Sequence, residues 1–74
     1  MEKAIQYLIN RYGVVTVTQS KNFTDLTEVT CNGNGFGKHD LDEVMEAKNF
    51  YTFSITIKNS ELNIIIFFKN ENNN

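Results

Sequence analysis

The chain has no proline and no tryptophan, one cysteine, one histidine and four glycines in 74 residues. Each shortage excludes a class of protein. Cys31 has no second cysteine to pair with, so this is not a disulfide-stapled miniprotein, and a reducing compartment fits. His39 cannot complete a four-ligand zinc site with Cys31 unless carboxylates or a second chain contribute, and no metal or cofactor is called for. The longest apolar run, Ile64 to Phe68, has five residues, far short of the ~20 that a membrane helix needs. The first residues, Met-Glu-Lys-Ala-Ile, lack the basic and apolar regions of a secretory signal. A cytoplasmic protein without membrane association is expected, and at 8.5 kDa it has room for one domain.

What is present is an uneven charge. The chain carries a net charge of -2, yet from Asp25 to Glu46 the acids Asp25, Glu28, Asp40, Asp42, Glu43 and Glu46 face only Lys38, a local net of -5. Residues 1–24 carry +2 and residues 47–74 carry +1. A protein that holds phosphate backbones needs the reverse, a basic stripe, so direct nucleic-acid binding is disfavoured.

Apolar periodicity then divides the chain. Ile5, Leu8, Ile9 and Tyr12 recur at helical spacing and predict an amphipathic helix over Glu2 to Tyr12, closed by Gly13. Val14 to Thr18 is a β-branched run of strand length, and Phe23 to Cys31 reads as a second strand with a bulge or a late start. After the loop Asn32-Gly33-Asn34-Gly35-Phe36-Gly37, Asp40 is placed as the cap of a short helix reaching about Lys48, with Glu43 completing a capping box and Leu41, Val44 and Met45 as its apolar stripe. Phe53, Ile55 and Ile57 alternate with polar residues, and Asn59-Ser60 is a two-residue turn. That turn would set Lys58 opposite Glu61, Ile57 opposite Leu62, Ile55 opposite Ile64 and Phe53 opposite Ile66. This predicts an α+β domain over 1–69, ordered α-β-β-α-β-β, whose four-stranded, mostly antiparallel sheet carries two helices. Residues 70–74 are expected as a polar, frayed tail. Ile65 and Phe67 fall on the opposite sheet face from the core set, as candidates for self-association in a homodimer.

No motif for catalysis survives inspection. A Walker loop would need Gly at 32 and Ser or Thr at 39, where the chain has Asn32 and His39, and a dinucleotide fingerprint would need Gly at 38, where it has Lys38. Cys31 and His39 are separated by a glycine-rich loop with no third partner to orient them. The acids near Asp40 have a structural explanation in the helix dipole and a functional one as a docking surface for a basic partner. A non-enzymatic protein-binding module is therefore expected, presenting Asp25, Glu28, Asp40, Asp42, Glu43 and Glu46 to a larger protein with a basic surface.

Asn, Ile, Lys and Phe make up 30 of the 74 residues, and their AT-rich codons hint at a low-GC bacterium or one of its mobile elements. In size, acidity, this composition and lack of motifs the chain resembles phage-encoded anti-defence proteins, anti-CRISPR proteins among them. That resemblance of profile implies an inhibitor acting in the host cytoplasm by occluding a nucleic-acid-binding surface. The alternatives are a self-associating structural or adaptor subunit and a small nucleic-acid binder that gathers Lys and Arg from both ends of the chain.

Overall fold

The computed structural model describes residues 2–13 and 15–70. Helix α1 covers Glu2–Tyr12, and Gly13 follows at φ 87°, its amide bonded to the Ile9 carbonyl, the left-handed closure that glycine adopts without strain. Strand β1 is Thr16–Gln19 and β2 is Leu26–Asn32; helix α2 is Lys38–Met45; β3 is Phe50–Lys58 and β4 is Glu61–Lys69. The expected order α-β-β-α-β-β is thus the observed one. The Val14 start expected for the first strand lies outside the described residues, as does the expected tail at 71–74.

The sheet order is β1-β2-β4-β3 and every neighbouring pair is antiparallel. The hairpin register is the one the alternation requires: Lys58 opposite Glu61, Ile57 opposite Leu62, Ile55 opposite Ile64 and Phe53 opposite Ile66. Asn59 and Ser60 both have positive φ, as a two-residue turn matched to the twist of its strands demands. A register shift between Phe50 and Thr52 makes Tyr51 the extra residue of a bulge. Phe50 instead turns inward, edge-on to Phe68 at 6.3 Å, while Lys69 lies over the exposed Tyr51 ring.

The core lies on one sheet face only. Ala4 and Leu8 of α1 and Val44 of α2 pack on Val29 and Cys31 of β2 and on Ile64, Ile66 and Phe68 of β4. Both helices therefore sit over the two central strands. The reverse face is open, and there Ile65 lies between Thr30 and Ser54 while Phe67 lies between Glu28 and Thr52. Ile65 and Phe67 are half-buried between those side chains, and among the described residues no helix lies above them.

Three expected details differ. Helix α2 begins two residues before Asp40, with Gly37 at the N-cap position, so Asp40 is the third residue of the first turn; its carboxylate accepts the Gly37 amide at 2.9 Å, and no bond joins it to Glu43. The helix also stops at Met45, whose side chain is exposed, so the apolar stripe narrows to buried Val44 and half-buried Leu41. Asn70, expected in the frayed tail, is anchored instead. Its amide donates to the Asp25 carbonyl at 2.8 Å, its side-chain nitrogen donates to Gln19 and to the Thr24 carbonyl, and its side-chain oxygen accepts from Thr27. Gln19 in turn donates to the Thr24 and Leu26 carbonyls at 2.8 Å, so two amide side chains hold the β1–β2 connection that lacks a tight turn sequence.

Candidate functional site

The six acids of the middle segment do not converge. Asp40 is 3% exposed and turned inward, where its carboxylate accepts the Tyr7 hydroxyl at 2.7 Å and the Gly37 amide and pairs with Arg11 Nε at 3.3 Å. Burial alone would raise the Asp40 carboxyl, but the Gly37 amide, the Tyr7 hydroxyl and the Arg11 guanidinium outweigh it and hold it below the ordinary carboxylate range. The same hydrogen bond raises the Tyr7 phenol. Asp40 therefore joins α2 to α1 and offers nothing to a partner.

Glu28 stands beside Phe67 on the open sheet face, opposite the helices, and exposed Asp25 precedes β2. That leaves three acids together at the end of α2, Asp42 and Glu43 within the helix and Glu46 at its C-cap. Asp42 and Glu46 are exposed one turn apart, and Glu43 is half-buried beside them. Lys38 Nζ reaches the Asp42 carboxylate at 2.8 Å, which offsets one of the three charges.

Between α1 and α2 runs a groove of about 400 Å³. Glu43, Glu46 and Ala47 form one wall; Lys3, Gln6, Tyr7 and Asn10 belong to the other. Helical spacing explains both walls, because i, i+3 and i+7 on α1, and i, i+3 from Glu43 to the C-cap Glu46, whose backbone is still in the helical region, each bring one row of side chains to the same edge. The groove thus offers two carboxylates and one ammonium beside the Tyr7 ring. It suits a cationic side chain with an apolar stem.

The glycine loop is occupied by its own bonds. The Gly33 amide donates to the Leu62 carbonyl at 2.8 Å, and a Cβ there would meet Leu62 Cγ at 2.8 Å. Asn32 Oδ1 accepts the Asn34 amide, and Arg11 donates to the Gly35 carbonyl. The Gly37 amide before the helix start already serves the Asp40 carboxylate, which itself lies where an anion would approach the first turn. Phosphate cradling has no free donor at that position.

Cys31 points into the core from β2, whereas His39 is exposed on α2, edge-on to the Tyr7 ring. Burial, with the Asp40 charge adding to it, pushes the Cys31 thiol up to about 11. A thiol so placed is protonated at neutral pH and is a poor nucleophile. In a native sample at pH 8 it should react with an aromatic disulfide reagent at least ~100-fold more slowly than in urea, because attack requires thiolate and access. Equal rates in the two conditions would contradict its burial. Among the described residues no three His, Cys, Asp or Glu side chains gather as a metal site, and no helix is long and apolar enough to cross a membrane.

A different surface escapes the sequence reading. Phe53, Ile55, Ile57 and Leu62 share the core face of the sheet but extend beyond the helices, 37%, 60%, 75% and 37% exposed. Exposure along β3 rises toward the hairpin turn. The signal was present in element lengths: an eight-residue helix spans ~12 Å, against ~30 Å for a nine-residue strand. The molecule is accordingly elongated, 40 × 24 × 18 Å. Compared with known proteins, the chain matches no family model, no curated protein and no solved structure.

Proposed function

We propose that the protein is a non-enzymatic binding module that docks the α2 side of its helical layer on a basic surface of a larger protein. The observation that carries this reading is the groove between α1 and α2, where Glu43 and Glu46 line one wall and Asp42 stands on the adjoining exposed turn. An arginine or lysine of the partner would lay its stem on the Tyr7 side and its charge against the glutamates. Basic surfaces on larger proteins commonly hold nucleic acid, so a docked acidic module acts as an inhibitor by covering one. A small mobile-element inhibitor of the anti-defence type fits this mode of action and the AT-rich residue usage. Arg11 and Lys38 are paired with Asp40 and Asp42, which lowers the support for direct nucleic-acid binding.

An arginine-rich peptide is the probe. Titrated into the protein, it should shift the backbone resonances of Asp42, Glu43, Glu46 and Ala47 and of facing residues on α1, with an affinity that falls as salt rises. The triple variant Asp42→Lys, Glu43→Lys, Glu46→Lys should bind at least ~10-fold more weakly. Unchanged affinity in the triple variant would refute the docking face. Co-purification from the source cell with wild type and triple variant side by side then identifies the partner, which should be basic and retained by wild type alone.

A further inference from the structure

We propose that two copies of the chain associate through the β3 edge, antiparallel about Ile55, to form one continuous eight-stranded sheet. This rests on different residues from the acidic docking face. Strand β3 is an edge of the sheet, nine residues long, and its edge protections, a bulge at Tyr51 and the charge of Lys58, lie at its two ends and leave its middle unguarded. It carries no proline and no charge from Phe50 to Ile57, and its bulge lies at its start, leaving residues 53–57 regular. The other edge, β1, has only four residues and a threonine-rich sequence.

The hydrogen-bonding geometry and the apolar side chains select the same residues. The hairpin closes on the pair Lys58–Glu61 through a two-residue turn, so Lys58, Thr56 and Ser54 bond inward to β4. Ile57, Ile55 and Phe53 therefore direct their N–H and C=O groups outward, and their side chains form the exposed ledge on the helix side. A two-fold axis through Ile55 sets Ile55 opposite its own copy and Phe53 opposite Ile57, making about six backbone hydrogen bonds. All pairs fall on matching faces, because positions that sum to an even number share parity. Lys58 meets Thr52, so no like charges oppose each other.

Area bounds the size of the contact. The ledge of Phe53, Ile55, Ile57 and Leu62 exposes about 400 Å² per copy, a patch large enough to mark an interaction surface but about half of the ~800 Å² that each partner of a stable dimer buries. For a contact at the small end of the range we expect a reversible dimer, with dissociation in the micromolar range or weaker. A second copy suits the ledge because it supplies both the missing backbone partners and an identical apolar row.

Sedimentation equilibrium of the full chain from about 5 to 500 µM spans that range. Wild type should pass from monomer toward dimer and no further, and the amide protons of Phe53, Ile55 and Ile57 should exchange more slowly as concentration rises while Ser54 and Thr56 stay unchanged. Ile55→Lys sets two ammonium groups on the axis and should weaken association at least ~10-fold; Ile57→Lys, at a still more exposed position, is the second variant should the first fold poorly. The control Thr16→Lys on β1 should dimerise as wild type does. A wild type that stays monomeric at the highest concentration, growth past the dimer, association undiminished in both folded variants, or dimerisation without protection of residues 53, 55 and 57 would each overturn the proposal.

Discussion

Replacing Asp40 by Asn should lower the midpoint of urea unfolding by about half or more. The carboxylate is buried and meets three groups from two directions: Tyr7 and Arg11 on α1, and the Gly37 amide at the start of its own helix. An asparagine of nearly the same shape keeps one acceptor oxygen but loses the charge and turns a donor toward at least one of these donors. Removing one partner of a buried, hydrogen-bonded ion pair costs about 3–5 kcal/mol. Arg11 is half exposed, so water compensates part of its loss, and about 2–4 kcal/mol is the reasonable expectation here. A domain of this size has roughly 3–5 kcal/mol of stability in all. The variant should therefore sit close to its unfolding threshold at room temperature. A midpoint within experimental error of wild type would show that the α1–α2 junction does not depend on Asp40.

The same residue gives the protein its acid limb. The folded carboxyl titrates below its ordinary value of 3.8, so its stabilisation is present above that pH and is lost as pH falls through the folded value. The alkaline limb has the opposite sign. Cys31 is raised from 9.0 to about 11 and Tyr12 from 10.0 to about 12, the latter chiefly by burial with the Asp40 charge adding to it. Groups raised in the folded state stabilise it below their unfolded values and cease to do so as pH rises through the folded ones. Stability should thus be flat from about pH 4 to 9 and fall on both sides. In Asp40→Asn the acid fall should flatten while the thiol and phenol still produce an alkaline one.

How far the sequence was legible follows from which forces act locally. The α1 boundaries and the β3–β4 register depend on apolar period and turn chemistry within a few residues, and both were readable from Ile5, Leu8, Ile9 and Tyr12 and from the alternation about Asn59-Ser60. Asp40 was misread because a long-range contact decided its role. Its spacing to Glu43 suits a cap, but Tyr7 and Arg11, some thirty residues earlier, draw it inward and move the helix start to Lys38. Tyr51 and Phe50 show the same limit. Strict alternation back from Phe53 puts Tyr51 in the core, whereas Phe68 provides an edge contact for Phe50 and a bulge accommodates the change. The acidic segment was legible in composition and illegible in space, since strand parity sends Glu28 to the face opposite α2.

A pair of substitutions on one face measures how far the helices cover the sheet. Phe68 and Ile57 both stand on the helix side of the same hairpin, yet Phe68 is fully buried and Ile57 is 75% exposed. Phe68→Ala should cost about 3–5 kcal/mol, because the ring is enclosed by the helix-covered core and by Phe50, and little can collapse into the space. That is the whole stability of such a domain, so the variant should show no cooperative thermal transition. Ile57→Ser in dilute solution should change stability by no more than about 0.5 kcal/mol, the usual range for a surface position. The contrast follows from coverage: both are large apolar residues on one face of one ladder, with a helix over one end and solvent over the other. Comparable losses at the two positions by thermal unfolding at about 5 µM, where self-association is weakest, would mean that something in the monomer already covers the hairpin tip.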